Sequence, residues 1–142
     1  MPNDTLPGGC LFLPFSPKGD ERGSLVAIEE GRDVPFPIAR AYYLYGTREG
    51  VTRGLHAHRQ LRQVAVAVAG SCAMLLDDGR ARTTVLLNDP AAGLLLEPMV
   101  WHEMSDFTDD CVLLVLADAP YDEADYIRDY QQFLSLAGRS KP

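Results

Sequence analysis

The sequence predicts an all-β barrel that carries one C-terminal α-helix. Three observations lead to this fold class. Short apolar runs recur at roughly the 8–12-residue spacing of sandwiches and barrels, turn residues separate these runs, and only the last segment has a helical period. The chain has 142 residues, which suits one ordinary domain. Hydrophobic residues make up 46% of it, enough for a sizeable core.

The candidate strands follow an N-terminal tail, residues 1–9, and belong to a single domain, residues 10–142. They lie in the segments CLFLPF, SLVAIEE, IARAYYLYG, LHAHRQ, RQVAVAVAG, SCAMLLDDG, RTTVLLN, LLLEPMVWHEMSDF and CVLLVLAD. Alanines alternate with valines in VAVAVA, which indicates a strand covered on both faces. Asp77, Asp78 and Gly79 predict a hairpin turn rather than a pair of catalytic carboxylates.

The segment YDEADYIRDYQQFLSL predicts the helix, over about residues 122–137. Asp122 is a suitable N-cap, because its carboxylate can accept from the free N–H groups of the first turn. Apolar or aromatic residues recur with a helical period at Tyr126, Ile127, Tyr130, Phe133 and Leu134. We expect the tyrosines of this stripe to pack in the core rather than to bind a ligand.

The charge of the chain argues against several classes of function. A formal net charge of −7 disfavours nucleic acid and membrane surfaces as partners, since both attract basic proteins. The sequence shows neither a signal-peptide pattern nor an apolar run of about 18 residues, so we expect a cytoplasmic protein. Its three cysteines, Cys10, Cys72 and Cys111, are expected to be buried free thiols.

Two histidines stand one residue apart in the segment GLHAHRQLRQ. Side chains at positions i and i+2 of a strand point to the same face, so His56 and His58 should lie side by side. Such a pair could bind a metal ion, act as acid and base on a substrate, or lie unused on a solvated face.

Two longer segments resemble the two motifs of the cupin superfamily. In GVTRGLHAHRQLRQVAVAVAG, residues 50–70, the pattern is G-x5-H-x-H-x4-Q-x6-G, with Gln63 in the place of the usual glutamate. In GLLLEPMVWHEMSD, Gly93, Pro98 and His102 match the second motif, although the spacing from Gly93 to Pro98 is one residue short. Val100 takes the place of the usual glycine and Asp106 that of the usual asparagine. The resemblance implies a cupin fold, that is, a double-stranded β-helix or jelly-roll barrel. In metal-binding cupins, the three histidines and the glutamate surround one ion.

The glutamine at position 63 favours chemistry without a metal ion. An amide oxygen supplies no negative charge, and histidines with carboxylates are the usual ligands of transition metals. Without a metal, the imidazoles are proton-transfer groups that titrate near about pH 6.5. We therefore expect acid–base catalysis with no metal ion and no cofactor.

More specific strings resemble the sugar-nucleotide 3,4-ketoisomerases, which act on dTDP-4-keto-6-deoxyglucose. These strings are RGSLVAIEE, AYYLY, RGLHAH, GSCAMLLDDG, PMVWHEM, VLLVLA and YDEADYIRDYQQFL. The resemblance as a whole extends over about residues 11–134. RGLHAH and YDEADYIRDY are the most distinctive. The resemblance implies a metal-free homodimeric isomerase of deoxyamino sugar biosynthesis, which moves the keto group from C4 to C3 through an enediolate. An apolar edge strand such as CLFLPF is also consistent with a dimer.

The resemblance implies roles for individual residues. His56 is the candidate base, His58 would polarise a sugar oxygen or orient its neighbour, and Tyr42 is the candidate acid on the opposite side of the ring. Alternation along the strand sends Tyr42 and Tyr43 to opposite faces. Arg53 would bind pyrophosphate oxygens as a bidentate donor. Gln63 is a candidate substrate contact if its strand reaches the sugar.

Arg22 and His102 bear on the stereochemistry of the product. An arginine and a histidine at these positions resemble the members that give the 6-deoxygalactose series, whereas a tyrosine and an arginine resemble those that give the glucose series. A proton donor above or below the enediolate would select the face of C4. Two alternatives remain at this point: a metal-dependent cupin enzyme, and a non-catalytic cupin that binds a sugar nucleotide.

Overall fold

Two antiparallel five-stranded sheets face each other across an apolar core. The structure is a computed structural model that describes residues 6–140, with the side chains of residues 139–140 left out. The strands are β1 (Leu11–Pro14), β2 (Lys18–Asp20), β3 (Gly23–Leu25), β4 (Arg40–Tyr45), β5 (Arg53–His58), β6 (Gln63–Ala69), β7 (Cys72–Asp77), β8 (Arg82–Leu87), β9 (Ala92–Leu96), β10 (Trp101–Ser105), β11 (Val112–Ala117) and β12 (Tyr126–Ile127). One helix, α1 (Tyr130–Ser140), follows them.

The order of the strands is that of a jelly roll. One sheet has the order β1-β9-β6-β11-β4 and the other β12-β5-β10-β7-β8. From β4 to β11 the chain therefore alternates between the two sheets, except at the hairpin β7–β8, whose strands are neighbours in one sheet. The hairpin β2–β3 forms a separate two-stranded sheet. The predicted all-β barrel with one C-terminal helix is therefore confirmed.

Residues 63–67 of strand β6 are buried on both faces, as the alternation of valine and alanine predicted, whereas Val68 and Ala69 are exposed. Ala65 and Ala67 point between the sheets, where they pack with residues such as Met74 of the other sheet. Val64 and Val66 point outward and pack under the segment 26–38. The small alanines on the inner face leave room for the larger residues of the opposite sheet. Because both faces of this part of β6 are covered, both contribute buried apolar area to stability.

The N-terminal residues contact the domain. Of the predicted tail, residues 1–5 lie outside the described residues. Pro7–Gly9 form a 3₁₀ turn in which Pro7 is buried, and the Gly8 N–H donates to Asp78 Oδ2 (2.9 Å). The turn at Asp78 is the predicted hairpin, since the Asp78 N–H donates to the Ala81 carbonyl (3.2 Å) between β7 and β8.

The helix begins later than the sequence predicted. Asp122 caps a 3₁₀ turn, Glu123–Asp125, instead of an α-helix, and α1 starts at Tyr130 rather than near residue 122. Between these two elements, β12 pairs with the edge of β5, which gives the backbone groups of β5 hydrogen-bond partners. The later part of the apolar stripe is helical as predicted, and Phe133 is fully buried against Trp101.

The three cysteine thiols are free and buried, as predicted. No helix within the described residues is long and apolar enough to span a membrane.

Candidate active site

Three histidines meet on neighbouring strands at one end of the barrel. His56 and His58 lie on β5, and His102 lies on β10, directly across from His56 in the strand register. The ring centroid of His56 is 4.9 Å from that of His58 and 4.7 Å from that of His102. The prediction that His56 and His58 share one face of a strand is confirmed.

A bulge in β5 directs His56 into the cluster. The register with β10 shifts after His102, so that Leu55 is an extra residue between Gly54 and His56. Gly54 has φ +87°, and a Cβ on it would lie 3.0 Å from the His102 carbonyl oxygen. Leu55 also has a positive φ, of 60°. A β-bulge bends its strand and changes the direction of the next side chain, so this local geometry orients His56.

Each histidine is held through Nδ1 by an oxygen that can only accept. The Nδ1–H of His56 donates to the Gly54 carbonyl (3.0 Å), that of His58 to Asp125 Oδ2 (3.1 Å), and that of His102 to the Val100 carbonyl (3.3 Å). The proton of each neutral ring is therefore on Nδ1, and Nε2 carries the free lone pair. The Nε2 of His58 is buried without a hydrogen-bond partner among the described residues.

The cluster favours neutral imidazoles. Burial, and after it the proximity of His56, lowers the pKa of His58 and of His102 to about 3. Burial also lowers the pKa of His56 from its ordinary value of 6.5. At neutral pH, all three rings are therefore bases with a free nitrogen.

Tyr42 faces the histidines from the opposite sheet. It points inward from β4, whereas Tyr43 is 63% exposed, as the alternation predicted. The Gln63 side-chain amide donates to the Tyr42 hydroxyl oxygen (2.9 Å), so the hydroxyl hydrogen stays available for another acceptor. Burial raises the pKa of Tyr42, which keeps its proton in place. The structure thus brings the predicted residue Gln63 to Tyr42.

Tyr126 belongs to the site, although the sequence placed it in a core stripe. Its ring centroid lies 4.9 Å from that of His56 and 4.4 Å from that of His58. The guanidinium of Arg128 covers the ring at 4.2 Å from its centroid. The position follows from the pairing of Tyr126 with His58 across β12 and β5. The distinctive string YDEADYIRDY was the one sequence signal that could have indicated it.

Arginines line a cavity of about 480 Å³ in front of His56 and Tyr42. They are Arg40, Arg53 and Arg128. Arg128 is paired with Glu123 (2.8 Å), whereas Arg40 and Arg53 have no carboxylate partner within residues 6–140. The sequence indicated Arg53 but not Arg40, whose Cζ lies 5.2 Å from the Tyr42 ring centroid. Two unpaired guanidinium groups make this cavity suitable for an anionic ligand.

Arg22 is not brought to the site. It lies on the β2–β3 hairpin with its side chain 87% exposed, and its Nη2 is 2.6 Å from Asp20 Oδ2. It lines a shallow depression on its own hairpin rather than the cavity in front of His56 and Tyr42. His102, in contrast, lies within the cluster. Within one copy of the chain, the two residues predicted to select the product therefore lie apart.

The three histidines could hold a divalent metal ion. Their ligand nitrogens lie within 4.8 Å of one another. Hydrogen-bonded Nδ1 atoms are typical of histidines that bind zinc through Nε2, and sets of three histidines do hold zinc. The fourth cupin position is Gln63, whose amide is engaged with Tyr42. The residues thus fit a metal ion bound by neutral ligands without a carboxylate.

Comparisons with known proteins agree with this geometry. The family model FdtA: WxcM-like, C-terminal, matches residues 9–138. The TDP-4-oxo-6-deoxy-alpha-D-glucose-3,4-oxoisomerase of Aneurinibacillus thermoaerophilus is 54% identical over 114 residues, which cover 80% of this chain and 82% of that protein.

Two crystal structures of the 3,4-ketoisomerase QdtA from Thermoanaerobacterium thermosaccharolyticum are similar in fold. One, a double mutant with tyrosine replaced by arginine and arginine by histidine, is bound to TDP, with 41% identity, a TM-score of 0.93 and coverage of 95% and 98% of the two chains. The other, a histidine-to-asparagine mutant, is bound to TDP-4-keto-6-deoxyglucose, with 40% identity, a TM-score of 0.92 and coverage of 94% and 97%. The chain therefore belongs to the FdtA, WxcM-like family of sugar-nucleotide 3,4-ketoisomerases.

Proposed function

We propose that this protein converts TDP-4-keto-6-deoxyglucose into the TDP-3-keto-6-deoxy sugar of the galactose series. The observation that carries the chemistry is the juxtaposition of His56 and Tyr42 across one cavity. One is a neutral base with a free Nε2, and the other is a hydroxyl whose raised pKa keeps it protonated. A shift of a keto group to the neighbouring carbon needs one group of each kind.

The reaction conserves electrons within the sugar. The C4 carbonyl acidifies the hydrogen on C3, His56 Nε2 takes that hydrogen as a proton, and the C–H electron pair forms the C3=C4 bond of an enediolate. The proton of the C3 hydroxyl then moves to the C4 oxygen, and protonation of the C4 carbon leaves a ketone at C3 and a hydroxyl at C4. Tyr42, on the opposite sheet, is the proton donor to the C4 side. No external oxidant or reductant is consumed.

Arg40 and Arg53 are proposed to bind the diphosphate. Both line the cavity without a carboxylate partner in the described part of the chain, and guanidinium groups bind phosphate oxygens in a bidentate way. TDP and TDP-4-keto-6-deoxyglucose are the ligands of the two QdtA structures, which supports a ligand of this class.

The galactose-series product is proposed from Arg22 and His102. The two positions that are changed to arginine and histidine in the QdtA double mutant are as far apart in sequence as Arg22 and His102. The QdtA histidine that is replaced by asparagine has the same spacing to both positions as His56 has here. These spacings support the pairing of the two residues in one function.

A homodimer is proposed as the functional form. Arg22 lies outside the cavity of its own chain, so a second copy is needed to bring this residue to a bound sugar. Leu11 and Phe12, on the edge strand β1, are 44% and 40% exposed, which gives an apolar surface for such a contact.

The test is proton NMR of the protein with TDP-4-keto-6-deoxyglucose in D₂O that contains a chelator. We expect a 3-keto product with deuterium at C4 and coupling constants of the galactose configuration. The glucose configuration would contradict the assignment of Arg22 and His102. An unchanged spectrum would contradict the proposed activity, and stabilisation of the protein by the ligand without turnover would indicate a binding protein.

A metal-dependent reaction is the second candidate, because His56, His58 and His102 fit a divalent ion. Such an ion would polarise a substrate oxygen. Metal analysis of protein purified without chelators, compared with activity after chelator treatment, separates the two. Stoichiometric metal and activity lost on chelation would favour this second candidate.

A further inference from the structure

Asp125 joins the 3₁₀ turn to the chain that leaves β5. Its Oδ1 accepts from the Gln60 N–H (2.8 Å), and its Oδ2 accepts from the Leu61 N–H (3.2 Å) and from His58 Nδ1 (3.1 Å). Its backbone carbonyl accepts from the Arg59 N–H (2.9 Å). The side chain is 17% exposed. One carboxylate therefore holds both the turn after β5 and the ring of His58.

The hydrogen bond to Asp125 determines which nitrogen of His58 carries the proton. A carboxylate only accepts, so the proton lies on Nδ1 and the lone pair on Nε2. That Nε2 is buried without a partner among the described residues. A buried polar atom that has lost water and gained no partner is unfavourable, so a ligand atom is the expected partner.

We propose that Asp125 is a positioning residue that holds His58 as a hydrogen-bond acceptor for a hydroxyl of the bound hexose. This inference rests on the proposed function. The C3 hydroxyl must lose its proton as the ketone forms, and His58 Nε2 is a neutral acceptor beside the base His56, with ring centroids 4.9 Å apart.

Asp118 provides a matched control. Its Oδ1 accepts from the Arg62 N–H (3.1 Å), and it lines the same small cavity of about 220 Å³ as Asp125. No hydrogen bond from a histidine to Asp118 is found among the described residues. Asp118→Asn therefore changes the same charge and keeps a loop hydrogen bond, but leaves the orientation of His58 unaltered.

The experiment combines histidine NMR with kinetics. The chain has 3 histidines, so ¹⁵N-histidine labelling gives few signals, and long-range ¹H–¹⁵N correlation identifies the protonated nitrogen of His58. We expect Nδ1–H in the wild-type protein. In Asp125→Asn, the carboxamide oxygen can still accept from the loop, while its N–H₂ faces the ring and favours the Nε2–H form.

The expected kinetic effect is a fall in kcat of roughly 10- to 100-fold, the size seen when the partner that orients a histidine is removed. Asp125→Glu should restore part of the lost kcat, and the kcat of Asp118→Asn should stay within about twofold of wild type.

An Nε2–H form of His58 in the wild-type protein would overturn the inference, as would full kcat in Asp125→Asn. If Asp125→Asn fails to fold, the wild-type spectrum still decides. If the wild type has no isomerase activity, the proposed function fails, while the wild-type spectrum still tests how Asp125 holds His58.

Discussion

The strand pairs β6–β11 and β5–β10 lie within facing sheets and differ in almost every respect. The first has an unbroken register from Leu113 to Ala117, with a shift only at its end beside Val112, and its inward side chains are nearly all small or aliphatic. The second contains a bulge, two residues with positive φ, and three polar rings that face inward. One pair supplies stability through burial, and the other departs from regular geometry to hold reactive groups.

The largest stability loss is expected in β6–β11. Leu113 on β11 is fully buried opposite Ala67, so Leu113→Ala removes buried apolar area and leaves a cavity. We expect a loss of about 2–5 kcal/mol in the free energy of unfolding, measured by urea denaturation. The folded fraction should keep the kcat of the wild type. A loss of kcat without a loss of stability would contradict the division between the two pairs.

Acid should act on the β5–β10 pair. The folded-state pKa of His58 and His102 is about 3, below the unfolded value of 6.5, so the unfolded state binds more protons as the pH falls below 6.5. The contribution of these histidines to the free energy of unfolding is fully present above pH 6.5. It decreases towards pH 3 by about 1.4 kcal/mol per pH unit for each such histidine. The groups that face His58 are His56, Arg40, Arg128 and Asp125.

The measurement is the urea midpoint between pH 7 and pH 4.5, with His102→Asn as the matched variant. This variant should show a flatter dependence on pH, because one of the depressed histidines is gone. An unchanged slope would show that His102 is not buried as a neutral ring.

Gly54→Ala tests the bulge itself. A residue with a Cβ is strained at φ +87°, and its Cβ would lie 3.0 Å from the His102 carbonyl oxygen. We expect a loss of about 1–3 kcal/mol in stability together with a lower kcat, because His56 changes its direction. Gly31→Ala is the control, since Gly31 also has a positive φ but has no atom within 4 Å of an added Cβ. Equal kcat in both variants would contradict a role for the bulge in placing His56.

The smallest effect is expected outside the cavity. Tyr45 is 73% exposed on the outer face of β4 and does not line the cavity, so Tyr45→Phe should change stability by less than about 0.5 kcal/mol and leave kcat unaltered. Parallel assays of Tyr45→Phe and of Tyr42→Phe compare two tyrosines of one strand that point in opposite directions. A large effect of the outer tyrosine would indicate that this face also contributes to the reaction.

Local patterns in the sequence predicted β6 and much of β5. The alternation of valine and alanine indicated a strand buried on both faces, and the spacing of His56 and His58 indicated a shared face. The inward direction of Tyr42 followed from the same alternation. These features depend on neighbours in the chain, which is why a pattern of two residues was enough.

The features that the sequence missed depend on distant contacts. Tyr126 and Ile127 match a helical period, yet the open edge of β5 takes them as a strand, and this places Tyr126 and Asp125 beside His58. Arg40 is a candidate ligand-binding residue because it lines a cavity formed by residues of both sheets, which no local pattern in the sequence indicates. The position of Arg22 relative to the substrate stays a prediction, because Arg22 lines a depression on its own hairpin and not the cavity of its own chain.

The most direct test of the account follows the hydrogen on C3 separately from product formation. TDP-4-keto-6-deoxyglucose with deuterium at C3 is incubated in H₂O with wild type, His56→Asn and Tyr42→Phe, and both loss of deuterium and the 3-keto product are measured by NMR. With His56→Asn, we expect the substrate to keep its deuterium and no 3-keto product to form. With Tyr42→Phe, we expect the substrate to lose its deuterium while little product forms. Loss of deuterium in His56→Asn at the wild-type rate would contradict the assignment of His56 as the base.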